Sequence, residues 1–319
     1  MTDGQVQLSI VIVNYRSWDA LSRCLASLHP LRSVFGTATE IIVVDNASGD
    51  GRLKAFADAH PAARFVSNDG NWGFADGCNA GAARAEGELL LFLNPDTEDP
   101  GGQVAALVAE AHADPEVAIL TARQIDDRGR QQKVFDAFPT LATLFGPTRA
   151  LLRLIAPRRY PDPRRERTGY LEVDWVSGSV LLVPRRVFSE LGGFCNGFWM
   201  YSEDVDFCRR ARDAGHKVAV TFAVTLVHAH GGASRSNPAT AALTRSEVVV
   251  SRHFYASRHL GWQAPLYHLG LIVTRFLPAL LTAPRVASHL FRYYRAVPSR
   301  GWSSLRGRGD TPLFLTNSN

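Results

Sequence analysis

Residues 8–13, LSIVIV, run directly into Asn14-Tyr15-Arg16. So continuous a stretch of apolar and β-branched residues, without the alternation of a half-exposed strand, fits a strand buried on both faces of a parallel sheet. Working outward, Trp18, Leu21, Cys24, Leu25 and Leu28 recur at helical spacing, with Ser17 or Asp19 available as cap. Residues 40–44, EIIVV, form a second buried strand that stops at Asp45. Leu53 to Ala59 reads as a helix, Arg64 to Ser67 as a strand, Gly77 to Ala85 as a helix, and 88–93, ELLLFL, as a strand ending at Asn94-Pro95-Asp96. The order β-α-β-α-β-α-β predicts an α/β fold with a doubly wound sheet. Ligands of such sheets bind at the carboxyl ends of the strands, where this chain places Asn14-Tyr15, Asp45-Asn46 and Asn94-Pro95-Asp96.

Further along, a helix is expected from Gly101 to Ala113 and a strand over Val117 to Leu120. The Pro- and Arg-rich stretch from Gly146 to Thr168 reads as a mobile loop. Glu172 to Val183 reads as strands interrupted at Ser177-Gly178, Val187 to Leu191 as a short helix, and Gly192-Gly193-Phe194 as a turn. Ser202 to Ala214 reads as a helix with acids in its first turn, and Lys217 to Thr225 as a last strand before His228 and His230.

The 319 residues, 46% hydrophobic and 20% charged, can bury a core deep enough for a cleft without disulfides, which excludes a disordered chain. The cysteines Cys24, Cys78, Cys195 and Cys208 form no CxxC pair, which argues against a zinc or redox site. The N-terminus passes straight into a strand without the features of a secretory leader, so a reducing compartment is expected. The net charge of +5 is uneven: ten arginines against Glu247 and Asp310 give +8 over Ala239–Asp310 and leave −3 elsewhere. Such a basic end suits an anionic surface, membrane or lipid phosphate; with no recognised motif beside it, nucleic acid is not expected.

Each polar cluster has a functional and a plain reading. Asp45, in DNASGD (45–50), can accept from a pyrimidine N–H or simply close an Asx turn. In NWGFADGCN (71–79) the glycines and the following helix N-terminus suit a diphosphate, or make only a strand-to-helix turn. Asp96 can bind Mg²⁺ or Mn²⁺ shared with phosphates, or end a strand at a Pro turn. Glu203, Asp204 and Asp206 crowd one helix start, where mutual repulsion can raise a pKa to suit a proton acceptor, or where they complement the helix dipole. His228 and His230 are candidate metal ligands or solvated loop histidines.

In order, IVIVNY, VVDNASGDG, NDGNWGFADGCN, FLNPD, WVSGSVLLVPR, GGFCNGFWMYSEDVDFCRRARDAG and HAHGGAS resemble the inverting GT-A nucleotide-sugar glycosyltransferases of family 2, nearest the bacterial rhamnosyltransferases, over residues 8–235. The resemblance implies a GT-A domain over 1–235, a Rossmann-like mixed sheet flanked by helices, followed by a basic helical appendage over 236–319. It implies that Val13, Tyr15, Asp45, Asn71, Gly73, Asn79 and Asn94 hold the donor, and that Trp175, Ser177, Gly178 and Trp199 border the acceptor. It makes Asp204 the catalytic base with Glu203 beside it, and Asp96 a metal ligand completed by a histidine; spacing does not choose between His228 and His230, and His230 is preferred. Where many relatives carry Asp-x-Asp, this chain has Asn94-Pro95-Asp96, which implies a modest affinity for Mg²⁺ or Mn²⁺.

The expected reaction is inverting transfer of L-rhamnose from dTDP-L-rhamnose to a glycan or polyprenyl-diphosphate-linked GlcNAc in cell-envelope polysaccharide synthesis. Rival readings are a transferase using a UDP-hexose and another acceptor, and a non-catalytic nucleotide-sugar-binding assembly protein. A dehydrogenase is less expected still, since no GxGxxG follows the first strand. The apolar stretches Val248–Leu260, Tyr267–Ala283 and Val286–Tyr294 suggest interfacial helices at the cytoplasmic face of the cell membrane. Tyr267–Ala283, at 17 residues with Arg275 and Pro278 inside, is short for a spanning helix. Homo-oligomer formation is left open.

Overall fold

The computed structural model describes residues 6–229 and 238–300. Its strands are β1 (Leu8–Asn14), β2 (Thr39–Asp45), β3 (Arg64–Ser67), β4 (Leu89–Leu93), β5 (Thr97–Glu98), β6 (Val117–Ile125), β7 (Phe135–Asp136), β8 (Tyr170–Glu172), β9 (Trp175–Val176), β10 (Val180–Pro184) and β11 (Lys217–His228). The helices are α1 (Trp18–Ser27), α2 (Leu31–Phe35), α3 (Leu53–Ala59), α4 (Phe74–Ala82), α5 (Gln103–Ala113), α6 (Leu141–Leu144), α7 (Gly146–Ile155), α8 (Arg185–Glu190) and α9 (Glu203–Asp213). The C-terminal set is α10 (Pro238–His259), α11 (Ala264–Leu271), α12 (Leu277–Thr282) and α13 (Pro284–Arg300).

The main sheet is ordered β3-β2-β1-β4-β10-β6-β11-β5, with β8 also on β11. β3, β2, β1 and β4 are parallel, as their βαβ connections require. β10 then enters antiparallel to β4 and β6, which makes the sheet mixed. β7 and β9 pair separately. Alternation along β1 divides two cores: Leu8, Ile10 and Ile12 pack with α1 and α5, whereas Val11 and Val13 face α4 and α9. Helix α4 lies directly on β1 because Gly77 and Gly81 face it. A Cβ on Gly77 would sit 2.6 Å from Val13 Cγ1, and one on Gly81 2.4 Å from Val11 Cγ1.

Two expectations are corrected. The stretch 146–155 is helix α7, because Pro147 occupies the first turn, where its missing N–H does no harm. β6 continues to Ile125 through Thr121, Arg123 and Gln124, which bond to neighbouring segments.

The C-terminal helices share the core of the sheet: Phe254, Tyr255, Tyr267 and Leu271 belong to the same cluster as Phe92 and Phe207. Phe198 and Phe254 meet edge to face at 4.6 Å, and Ser251 Oγ donates to the Met200 carbonyl at 2.6 Å. His253 links α10 to α11 through His268 (2.8 Å) and to α13 through Tyr294 (3.0 Å). Burial pushes His253 down to about 2 and His268 to about 4, so both are neutral at pH 7. Gly261–Thr282 is 22 residues with mean hydropathy 1.4, long and apolar enough by those measures to cross a membrane, although Arg275 and Pro278 had argued otherwise. One face is buried through Tyr267, His268 and Leu271; the other exposes Trp262, Leu266, Leu269, Val273, Leu277 and Leu281.

Candidate active site

The carboxyl ends of β1, β2 and β4 meet the loops before β10 and α9. Asn14 and Asp45, opposite in register, are both buried. Asp45 Oδ1 accepts from Asn14 Nδ2 at 2.9 Å and Ser48 Oγ at 2.5 Å, and its Oδ2 accepts the Ser48 N–H at 3.0 Å. The turn reading of Asp45 therefore holds, with one lone-pair site left for a ligand. Tyr15 stands half-exposed beside it, stacked under Arg16. Val13 lies beneath α4.

The 71–74 loop is clamped by Trp199, in the segment before α9. Gly73 adopts φ +91°, and a Cβ there would fall 2.0 Å from the Trp199 carbonyl oxygen, so no other residue fits. That carbonyl accepts the Phe74 N–H at 2.8 Å, and Trp199 Nε1 donates to the Asn71 carbonyl at 3.1 Å. Trp199, expected at the acceptor, is only 7% exposed and acts as this clamp. The first N–H of α4 is thereby committed to protein, and Asp76 lies in the same turn, so this terminus offers a diphosphate less than expected. Asn79 also differs from expectation. Its amide brackets the Phe194 backbone, donating to the carbonyl at 2.8 Å and accepting the N–H at 2.9 Å, and donates to Asn196 at 2.6 Å.

At the end of β4, Asp96 Oδ1 lies 3.2 Å from His228 Nε2, with side chains 13% and 5% exposed. Asn94 Nδ2 is 3.4 Å from the same nitrogen. The antiparallel pairing of β5 with β11 sets His228 opposite Thr97 and so brings the histidine to Asp96. His230 lies outside the described residues. Among the described residues no group of three His, Cys, Asp or Glu side chains gathers around a point.

The three acids of α9 divide sharply. Asp204 Oδ2 accepts the Gly178 N–H at 3.0 Å and its Oδ1 the Val205 N–H at 2.8 Å. Burial pushes this carboxyl above the usual carboxylate range, against the pull of those two N–H groups. Glu203 is buried with Oε2 unpartnered; burial first, then the Asp204 charge, drive it further up. Asp206 is fully buried, which alone would raise it. Contacts at 2.7 Å to His259, 2.8 Å to Arg210 and 3.0 Å to Arg258 hold it below its ordinary value instead. The sequence marked Asp206 as part of a cluster but offered no signal for Arg258 and His259, over fifty residues away.

Asp206 thus ties α10 to α9. Asp206→Asn is expected to destabilise the fold by ~1.5–3 kcal/mol, the usual worth of hydrogen bonds to a charged group. Arg258, 37% exposed, contributes the smaller part. Urea unfolding measures this; an unmoved midpoint would remove Asp206 as the tie.

Asp96 and Asp204 occupy one end of the sheet. Asn94 N–H donates to the Ser179 carbonyl at 2.9 Å, and Gly178, next to Ser179, donates to Asp204. Ser177 Oγ lies 3.0 Å from Ser179 Oγ, which bonds the buried Gln124, a support that sequence reading missed. Trp175 is anchored by its indole N–H to the Ala137 carbonyl at 3.0 Å. Arg16, Ala47, Tyr201 and Ser202 all have positive φ and lie in these loops, where strained non-glycine backbone tends to gather in functional sites.

The profile described as glycosyl transferase family 2 matches residues 9–206. The chain is 30% identical over 282 residues to the N-acetylglucosaminyl-diphospho-decaprenol L-rhamnosyltransferase of Mycobacterium tuberculosis, covering 81% of this chain and 87% of that protein. It is 25% identical over 228 residues to the rhamnosyltransferase WbbL of Escherichia coli K12, covering 69% and 82%. Among solved structures, the mannosyltransferase PcManGT from Pyrobaculum calidifontis, in complex with GDP-Man and Mn²⁺, superposes with TM-score 0.55 at 16% identity over 94% of this chain and 84% of that one. GalNAc-T7 with UDP, GalNAc and Mn²⁺ gives TM-score 0.55 at 20% identity over 81% of this chain, which spans about half (51%) of that protein. Likeness at these identities bears on the fold, which is GT-A.

Proposed function

The chain belongs to glycosyl transferase family 2 and is a glycosyltransferase, and from that premise we propose that it moves L-rhamnose, with inversion, from dTDP-L-rhamnose to a polyprenyl-diphosphate-linked GlcNAc. The observation that carries the chemistry is the position of Asp204, held by the Gly178 N–H beside the loop that borders Asp96, with its proton affinity raised by burial. The named activity of the mycobacterial relative, 30% identical over most of both chains, supports the sugar and the acceptor.

In the proposed single displacement, Asp204 takes the proton of an acceptor hydroxyl. The freed oxygen attacks the anomeric carbon, and the nucleoside diphosphate departs with the electrons of the broken C–O bond. Tyr15 and the remaining lone pair of Asp45 face the base; Asn71 and Asn94 line the donor; Trp175, Ser177 and Gly178 border the acceptor. Burial and then the charge of Asp204 raise Glu203 well above the ordinary glutamate range, so Asp204 is taken as the acid of the pair that serves as base. A carboxylate oxygen and an imidazole nitrogen 3.2 Å apart, Asp96 and His228 would be the residues to hold a divalent cation. Mg²⁺ or Mn²⁺ held there would stabilise the charge on the departing diphosphate.

The exposed residues Trp262, Leu266, Leu269, Val273 and Leu277 recur at helical spacing, and α7 exposes Leu151, Leu154 and Ile155. An apolar stripe of this length on a basic region supports peripheral attachment to the cytoplasmic face of the membrane that holds a lipid acceptor. We take residues 1–235 as the catalytic domain and 236–319 as the helical segment serving that attachment.

The test is incubation with dTDP-L-rhamnose or UDP-hexoses and a polyprenyl-diphosphate GlcNAc, read by product mass. The expected product gains one deoxyhexose. Gain of a hexose from a UDP-sugar, with none from dTDP-L-rhamnose, would replace the donor.

A further inference from the structure

A hollow beside Trp175 collects positive charge from four separate segments: Lys133 ahead of β7, Arg149 on α7, Arg252 on α10, and Arg275 on the π-helical turn Ile272–Phe276. Lys133 pairs with Asp136, which also takes Arg153, and lies 5.5 Å over the Trp175 ring. Among the described residues, Arg149, Arg252 and Arg275 have no carboxylate ion-pair partner. Burial and the proximity of Arg252 and Arg149 depress Arg275 below its ordinary value, and burial depresses Lys133 despite Asp136. The cations therefore feel one another's charge. Gathering three guanidiniums around one space whose lining carboxylate, Asp136, is already shared by Lys133 and Arg153 disfavours the fold unless an anion enters. Forked guanidiniums match phosphate oxygens, and a cavity of about 50 Å³ admits a phosphoryl group in place of a few waters.

Two neighbours narrow the ligand. Trp175, on β9, stands three residues before Gly178, the group bonded to Asp204, so the hollow adjoins the segment that holds the proposed base. Arg149 and Arg275 ride on the helices that expose the apolar stripe. The stripe and the hollow thus belong to the same helices, α7 and the Gly261–Thr282 stretch.

We propose that Lys133, Arg149, Arg252 and Arg275 form the subsite for the diphosphate of a lipid-linked acceptor, with Trp175 under the sugar that Asp204 deprotonates. This rests on the functional reading above, since it names how that acceptor is held. The π turn, which widens the helix just before Pro278, carries Arg275 into the hollow while Val273 and Leu277 stay on the apolar face.

The experiment compares wild type with Arg149→Gln, Arg275→Gln and the double variant in two assays. Kinetics use GlcNAc-diphosphate-polyprenol and an alkyl GlcNAc glycoside that lacks phosphate. Each single variant should raise KM for the diphosphate acceptor by roughly 10- to 100-fold, the worth of a charge-assisted hydrogen bond, with a smaller change in kcat. The preference for the diphosphate acceptor over the glycoside should fall by the same factor. An unchanged preference overturns the subsite, whatever the change in overall activity. Titration with inorganic pyrophosphate, without divalent ions, forms the second assay, and the double variant should lose binding that wild type shows. If binding is lost but acceptor KM is unmoved, the hollow holds free phosphate and the acceptor assignment is overturned. If wild type turns over neither acceptor, the functional reading has failed; the titration then decides alone whether the anion site exists. Circular dichroism and melting of each variant separate these results from misfolding.

Discussion

Asp204→Asn is expected to bind dTDP-L-rhamnose as wild type does and to turn over about 10²–10⁴-fold more slowly, the range lost when a positioned general base is removed. The substitution keeps the shape of the side chain. Its carbonyl can still accept one of the two N–H groups, from Gly178 or Val205, that now hold the carboxylate. What disappears is the capacity to take a proton. The loss should fall on kcat and on kcat/KM together, since the interaction operates in the transition state and not in donor binding. The pH profile gives a second reading. The base works only when ionised, so activity must decline as pH falls through its pKa. Burial places that pKa above the ordinary carboxylate value of about 3.9. The acid limb of wild type should therefore lie higher than for an exposed aspartate, and it should vanish from the residual activity of the variant. Equilibrium binding of the donor, single-turnover rates and a kcat/KM profile check all three. Near-normal turnover, or an acid limb that survives in the variant, removes Asp204 from the role.

The readable parts of this chain were those where a local pattern has one physical meaning. LSIVIV, the IVV that ends EIIVV and the LLLFL of ELLLFL are buried, and each stretch ends at a polar cluster that the sheet carries to the cleft. The family motifs marked Asp96, Gly178 and Asp204 as neighbours, although 108 residues separate the two acids. Where the meaning depends on a distant partner, it was hidden. Gly73 looked like a ligand-facing glycine, yet its freedom serves the carbonyl of Trp199, 126 residues on. Asn79 looked like a donor contact and is held by the turn at Phe194. Asp206, beside the proposed base, is paired with Arg210 of α9 and with Arg258 and His259 of α10, so the acid cluster that seemed one unit contains an anchor, a buried acid and the proposed base. Pro147 was taken for a loop signal because a proline at the first turn of a helix and one in a loop look alike until the outward apolar residues of α7 have a surface to face. Histidine spacing could not choose between His228 and the preferred His230; the short pairing of β5 with β11 sets His228 against Asp96, and His230 lies outside the described residues.

Asp96→Ala should be the most damaging change outside α9. If a divalent cation stabilises the departing diphosphate, loss of its carboxylate ligand forfeits several kcal/mol of charge stabilisation, on the order of 10³-fold in kcat/KM at fixed Mn²⁺. His228→Ala should do less, because it removes a neutral ligand and leaves the carboxylate, whose charge dominates attraction to a hard cation. The order of the two variants is thus part of the prediction. It also separates the metal role from a structural one. Asp96 and His228 touch each other, so a purely structural contact would lose similar stability from either side, and added metal would restore neither. A metal role predicts instead that raising Mn²⁺ recovers part of the His228→Ala activity and little of the Asp96→Ala activity. Since one carboxylate stands where many relatives have two, wild type itself should bind the ion weakly without donor and much more tightly once a nucleoside diphosphate supplies further oxygens. Mn²⁺ titrations followed by electron paramagnetic resonance, with and without dTDP, measure that difference directly. Full activity of Asp96→Ala in the presence of a strong chelator would show that the chain works without a cation at this position, and the charge on the departing diphosphate would then have to be met by protein groups alone.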